Sequence, residues 1–283
     1  MVLGAEKMND LATVEGTSVI AQAADSKEEY FSGLTFPSGV ALTARKYMQV
    51  YGLTEEDLAH TSVKNHYYGA RNPYAHLRFE CTVDEVMRSA KVADPLKLYE
   101  VCPMTDASSA LVLCREDILR DQPDKPQVYI TATQMGTGTW YAASDTLDDA
   151  YNLLAKPAQR AYQMADLSPA DMDVAEIYNS FAIQEPLGIE ALGFAEQGEG
   201  WKGASDGATW MDGPTAVNLS GGLLCTGHPL GATGATPAVD VGEQLRGTAP
   251  PDMQRPSAEA GISAWRGGPG SVAAIHIYQR LEG

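Results

Sequence analysis

The stretch Asn218–Gly234, NLSGGLLCTGHPLGATG, organises the chain. A glycine pair, Gly221 and Gly222, precedes a histidine, His228, held between Gly227 and Pro229. Glycine has no Cβ, so backbone there can approach a ligand closely. Proline is favoured just inside a helix start, where its missing N–H would have been an orphan anyway. The Gly/Ala/Thr run after Pro229 therefore reads as the opening of a helix. The stretch presents an imidazole beside a close backbone contact. From geometry alone it reads equally as a glycine loop around a structural histidine.

Composition narrows what such a loop can serve. Against 20 basic residues stand 37 acidic ones, a formal charge of -17. That excess repels phosphate backbones and anionic lipid, so nucleic acid and membrane surfaces are poor partners. Hydrophobic residues at 44% and charged residues at 20% supply a buried core. The four cysteines, Cys81, Cys102, Cys114 and Cys225, show no CxxC spacing. This speaks against a disulfide framework or a metal site and for a reducing, cytoplasmic compartment. No apolar run approaches the ~18 residues that span a bilayer, and no charged-then-apolar leader opens the chain.

Along the chain, the opening MVLGA run reads as an interior strand with nothing before it. That suggests a shortened or split protein. Val40–Tyr51 has helical spacing, with Leu42, Tyr47 and Val50 as buried points. Thr54, with Asp57 three residues on, starts a second helix that Asn72-Pro73 ends. Ser108–Cys114 reads as a buried strand and Asp121–Pro126 as a linker. Then follow a strand at Val128–Gln134, a helix over Asp145–Leu167 with a Leu153/Ala161/Met164 stripe, and a strand at Val174–Tyr178. A helix over Phe181–Leu192 stops at Gly193. Strands at Gly261–Trp265 and Ser271–Tyr278 flank a glycine-rich turn. Strands alternating with helices imply parallel pairing and an α/β layered fold.

Several of these blocks resemble one family. GGLLCTGHPLGATG is similar to the GHP block of thiolases, YNSFAIQEPLGIEALGF to an earlier block, and WRGGPGSVAAIHI to the closing block. EKMND, TFPSGVALTARKYM, VKNHYYGARNP and VADPLKLYEVCPMTDASSA resemble archaeal and sterol-carrier-type thiolases. The resemblance implies an α-β-α-β-α layering of two βαβαβαββ halves, the first one incomplete. Residues 1–122 would hold the rest of the N-terminal half, with a loop domain inserted at about 10–95, and 123–283 the C-terminal half.

The resemblance also implies an acetyl-CoA C-acetyltransferase, joining or cleaving acyl units carried on coenzyme A. It would need no cofactor and no metal, the coenzyme A thioester being the substrate. His228 matches the histidine that activates a cysteine nucleophile, and Asn179 a residue holding an oxyanion-hole water. Gly267 matches the backbone N–H of a second oxyanion hole. Ser220, Gly221 and Gly222 match a backbone stretch along the pantetheine arm, and Lys64 to His66 fall in the loop domain that lines the coenzyme A pocket. Implied partners are a homo-oligomer, an OB-fold protein and an HMG-CoA synthase.

Two departures stand out. The family's nucleophilic cysteine precedes the EKM block, and that segment is not in this sequence. Where many thiolases carry a second cysteine, the chain has Trp265. Tyr178 stands where relatives have other residues, as in thiolase-like retro-aldolases that work through tyrosines, so Tyr178 is a candidate acid/base. Three readings thus compete: an acyltransferase needing the cysteine segment, a lyase acting on a β-hydroxyacyl-CoA, and an inactive scaffold. Bland alternatives stand beside the candidates. Asn179 could cap the following helix, His66 could lie on a helix surface, and Cys225 could be inert packing rather than a substitute nucleophile. His276 reads as structural, and Cys102 and Cys114 as core.

Overall fold

The computed structural model describes residues 1–120, 127–138, 147–268 and 270–280; the linker expected at Asp121–Pro126 lies outside them. The first part holds β1 (Val2–Glu6), α1 (Thr13–Ala21), α2 (Phe36–Tyr51), α3 (Glu55–Arg71), α4 (Val83–Arg88), β2 (Lys91–Ala93), β3 (Leu96–Lys97), β4 (Ala107–Leu111) and α5 (Glu116–Arg120). Then come β5 (Val128–Thr137), α6 (Leu147–Ala165), β6 (Val174–Ile177), α7 (Gln184–Ala191), α8 (Lys202–Asp206), β7 (Ala216–Val217), α9 (Gly222–Thr226), α10 (Thr236–Arg246), β8 (Ala260–Gly267) and β9 (Val272–Arg280).

Strand β1 pairs antiparallel with β4, Gly4 opposite Ser109, and the two bracket a mostly helical excursion. Both strands were expected to be interior. Instead Val2 is 44% and Leu3 63% exposed, and in β4 no residue is fully buried. The pair forms a two-stranded ribbon, and a ribbon that thin covers little of either face. Within the excursion, α3 starts as the sequence predicts. Thr54 Oγ1 accepts from the Asp57 N–H at 3.1 Å, and Asp57 Oδ2 accepts from the Thr54 N–H at 3.0 Å, so two orphan donors are satisfied reciprocally. Helix α2 starts earlier than expected, at Phe36, with Thr35 as its cap. Its buried face is Ala41, Ala44 and Tyr47, whereas Leu42 and Val50 are exposed. Small residues let this helix pack closely, and the Tyr47 hydroxyl donates to the buried Glu190 carboxylate.

The second part is built on a five-stranded sheet in the order β5-β9-β8-β6-β7. Strand β6 runs parallel to β7 and β8, as alternation with helices requires. The β5–β9 and β9–β8 pairs are antiparallel, so the sheet is mixed rather than all-parallel. The cause is local: the turn after Gly267 is too short for a crossover, and consecutive strands joined that tightly must reverse direction. Ile262, Ala264, Ile275 and Ile277 from this sheet bury against Leu153, Leu154, Ala158 and Ala161 of α6. Met164, placed by the sequence on the same stripe, is 57% exposed. Helix α7 begins at Gln184 rather than Phe181, which leaves residues 178–183 as a non-helical turn. The helix expected directly after Pro229 begins at Thr236; turns fill the gap, and the short α9 lies inside the motif itself.

A buried polar hub joins the two parts. Glu185 Oε2 accepts from Asn65 Nδ2 at 2.8 Å, Asn179 Nδ2 at 2.9 Å and Asn218 Nδ2 at 2.6 Å. Its other oxygen stands 2.5 Å from Lys64 Nζ, with both side chains essentially inaccessible to solvent. Lys64 Nζ also donates to the Val217 carbonyl at 2.9 Å. A buried ion pair is a poor source of net stability, but removing one partner strands the other charge. Glu185→Ala is therefore expected to cost about 3–5 kcal/mol of stability. Urea unfolding monitored by circular dichroism checks this; a loss below about 1 kcal/mol would contradict the hub.

Candidate functional site

The site begins where β6 ends. The Ile177 N–H donates to Asn218 Oδ1 at 2.7 Å, and the Tyr178 N–H to the Ala264 carbonyl at 2.9 Å. The chain is thus pinned to both neighbours just where Tyr178 emerges at the carboxyl end of a parallel strand. In α/β sheets such ends are where ligands bind. The Tyr178 hydroxyl lies 3.0 Å from His228 Nε2. The two rings meet edge to face at 5.4 Å, and Tyr178 meets Trp265 the same way at 5.5 Å. Ser180 Oγ, 3.1 Å from the Tyr178 hydroxyl and 2.9 Å from Gln184 Oε1, extends the chain of hydrogen bonds.

His228 is set by its own loop. Its backbone N–H donates to the Pro103 carbonyl at 3.2 Å. Gly227 before it has φ +86°, with Thr105 packed where a Cβ would go. Only glycine adopts that backbone without strain. Gly222 likewise has φ +56° and lies against the Asn179 amide. The Leu223 N–H donates to Asn179 Oδ1 at 2.7 Å. Helix α9, which leads to His228, is thereby tied to the residue after Tyr178.

Burial sets the proton states. It lowers the His228 pKa from 6.5 to about 4, so the ring is a neutral imidazole. Burial raises Tyr178 to about 12, against the pull of its Ser180 hydrogen bond. Tyr178 therefore keeps its proton at neutral pH. His228 Nδ1 makes no hydrogen bond among the described residues, which leaves Nε2 as the engaged nitrogen. Tyr178, His228, Ser180, Gly267, Cys102 and Arg266 line a cavity of about 500 Å³, whose other walls are largely apolar. A neutral base, a phenol and a serine hydroxyl face an apolar space, an arrangement suited to moving a proton at a carbon or sulfur centre away from water.

Of the residues singled out by the sequence, the structure brings Tyr178, His228 and Gly267 together on this cavity. The others lie elsewhere. Asn179 is wholly buried, its amide taken by Leu223, Asn65 and Glu185. It holds the site from behind, and Tyr178 occupies the place facing the histidine. The Ser220 hydroxyl donates to Glu176 Oε2 at 2.7 Å. Gly221 packs on Gly69 of α3, and Gly222 on Asn179. Lys64 belongs to the Glu185 hub. The His66 ring is buried against Phe79 and Tyr99, with centroids 4.6 and 5.6 Å away. These five, expected along coenzyme A, are buried packing or hub residues that do not line the cavity. Lys64 and His66 lie on the buried face of α3, turned to the Glu185 hub and to the Phe79 and Tyr99 rings.

The cysteines also sort differently from expectation. Cys225 is buried packing, its thiol pushed well up by burial. Cys114 is exposed rather than core. Cys102 lines the cavity, with its thiol raised to about 12 by burial. Sequence reading missed Cys102, Ser180, Arg266 and the Glu185 hub. Arg266 had a usable signal, an arginine opening the glycine-rich turn that already carried Gly267. Among the described residues no group of three or more His, Cys, Asp or Glu side chains converges as a metal site. Among them, too, no helix is long and apolar enough to cross a membrane.

Comparison with known proteins bears on the family and the fold. The thiolase N-terminal domain profile matches residues 1–117, and the thiolase C-terminal domain-like profile residues 136–280. An acetyl-CoA acetyltransferase of Methanothermobacter thermautotrophicus is 43% identical over 278 residues, which cover 98% of this chain and 71% of that protein. Sterol carrier protein 2 of Gallus gallus is 34% identical over 217 residues, covering 75% of this chain and 40% of that protein. Among solved structures, the Ltp2-ChsH2(DUF35) aldolase superposes with a TM-score of 0.78 at 24% identity, covering 91% of this chain and 69% of the other, a likeness of fold. With both domain profiles matched in order and a 43% identical relative aligned over 98% of this chain, the chain belongs to the thiolase family.

Proposed function

We propose that the chain acts on coenzyme A thioesters as an acyltransferase, forming or cleaving the carbon–carbon bond of a 3-ketoacyl-CoA. The observation that carries this reading is the Tyr178–His228 hydrogen bond on an apolar-walled cavity. Such chemistry needs a base that can take a proton from a thiol or from the carbon next to a thioester. A neutral His228 can do so through Nε2. It also needs donors for the oxyanion that develops, and Tyr178 with the backbone around Gly267 supplies that role.

None of the four cysteines is a ready nucleophile. Cys81 and Cys225 are buried, Cys114 is exposed, and Cys102 has its thiol held at about 12. We assign the thiolate to a cysteine-bearing segment supplied from outside this sequence, for His228 to activate. A homo-oligomer and an OB-fold partner belong to the same proposal, and size-exclusion chromatography with light scattering tests them.

The tyrosine–histidine contact also favours a second reading, a retro-aldol cleavage of a 3-hydroxyacyl-CoA in which the pair exchanges the hydroxyl proton without any cysteine. One experiment separates the two. The protein is assayed for CoA-dependent cleavage of a 3-ketoacyl-CoA and for CoA-independent cleavage of a 3-hydroxyacyl-CoA, before and after alkylation with iodoacetamide. The acyltransferase reading expects the first activity alone, seen only when a cysteine-bearing partner chain is added and abolished when that partner is alkylated beforehand. The lyase reading expects the second, undiminished by alkylation. In either case His228→Ala is expected to lower turnover by about 10²–10⁴. Retention of full turnover would remove His228 from the mechanism.

The pH dependence follows from burial. A histidine that must be neutral, with its pKa lowered to about 4, stays competent down to that pH. The acid limb of kcat/KM should therefore fall near 4 rather than near the ordinary 6.5. A limb near 6.5 would show that the ring is open to water. Stability moves in the same direction. Unfolding frees a ring that binds a proton below about 6.5, so stability from His228 is lost as pH falls from there toward 4.

A further inference from the structure

Arg266 is the one ionised side chain among the described residues that line the cavity over Tyr178 and His228. The same holds for a smaller adjoining pocket, of about 60 Å³, which shares Tyr178 and Ser180 and is walled by Leu34, Val40 and Leu187. Among the described residues that line these two spaces that charge is positive, in a chain of formal charge -17. The position is fixed: Arg266 follows Trp265, whose ring packs edge-on against Tyr178, and precedes Gly267 at the end of β8. Its charge reaches the reacting groups, since it pulls the Tyr178 pKa down against burial. A guanidinium offers five donors in a planar fork, enough to hold a protein neighbour and still present an edge to the cavity.

That fork matches a carboxylate, to which it can make paired charge-assisted hydrogen bonds. Coenzyme A brings anions too, but its phosphates lie a full pantetheine arm from the thioester. An anion beside Tyr178 and His228 belongs to the acyl part. We propose that Arg266 forms a carboxylate subsite, selecting acyl-CoA thioesters whose acyl group carries a second, free carboxylate a few carbons from the thioester. The proposal rests on the acyl-CoA reading above and names its substrate class. The smaller pocket, which Arg266 also lines, then takes the hydrocarbon between thioester and carboxylate.

The test compares two thioesters that differ by one group. Succinyl-CoA and butyryl-CoA share coenzyme A and acyl length, and differ by a carboxylate in place of a methyl. Isothermal titration calorimetry of the full chain should show succinyl-CoA bound about tenfold to a hundredfold more tightly. Arg266→Gln should bring the ratio of the two affinities to about one. Arg266→Lys should retain part of it, because charge remains while the fork is lost. Equal binding of the two by the unaltered protein would overturn the proposal without needing any variant. So would Arg266→Gln lowering both affinities by the same factor, which would place the guanidinium on a coenzyme A phosphate. If butyryl-CoA binds and succinyl-CoA binds no better, the carboxylate subsite falls and the acyl-CoA reading stands. If neither thioester binds, both fall together.

Discussion

The carboxylate of Glu185 is the constraint on which the site depends. It is buried, it faces the Lys64 ammonium, and it takes three amide donors, from nearby Asn179 and from Asn65 and Asn218, which are remote in sequence. A charge in that position can stay only if its partners stay. The consequence is geometric. Asn218 fixes the end of β6 through the Ile177 N–H. Asn179 fixes the start of α9 through the Leu223 N–H. Tyr178 is one residue beyond the first anchor, and His228 follows the helix that the second anchor starts. The hydrogen bond between them is therefore set from behind by polar groups that never meet the cavity.

This arrangement explains why apolar walls and a reactive pair coexist. Withdrawing water keeps the imidazole neutral and the phenol protonated. Those are the states needed for one to accept a proton and the other to donate a hydrogen bond. Behind the pair, the hub's carboxylate and amide groups are hydrogen-bonded to one another. Trp265 adds to the same effect by packing its ring against Tyr178. A tryptophan supplies no proton in the useful range, so at that position it shapes the pair rather than joining it.

Much of this was legible in the sequence, for identifiable reasons. Thr54 with Asp57, the Asn72-Pro73 stop and the Gly193 terminator encode local backbone preferences, and each falls where the chain bends. His228 was legible because glycines on its flank signal a backbone that other residues cannot adopt. What local pattern could not show was direction. Tyr178 and Asn179 are adjacent, and neighbours at the end of a strand point opposite ways. One faces the histidine and the other the hub, and only the register of β6 against β7 and β8 decides which. The surroundings of Lys64 and His66 were hidden for a similar reason: their buried partners, Glu185 and the Phe79 and Tyr99 rings, come from other parts of the chain. Leu42 and Val50 erred in the opposite sense, since α2 buries alanines rather than its larger residues.

The most direct test of the account is the structure of this chain bound to a non-hydrolysable acyl-CoA analogue with the thioester sulfur replaced by a methylene. The account predicts the acyl carbonyl in the cavity, with its oxygen in hydrogen-bond reach of Tyr178, His228 or the Gly267 backbone. The pantetheine arm should then leave past the apolar walls, with the Glu185 hub unchanged. An acyl group bound elsewhere, or a ligand that opens the interior to reach Lys64 or Ser220, would contradict it.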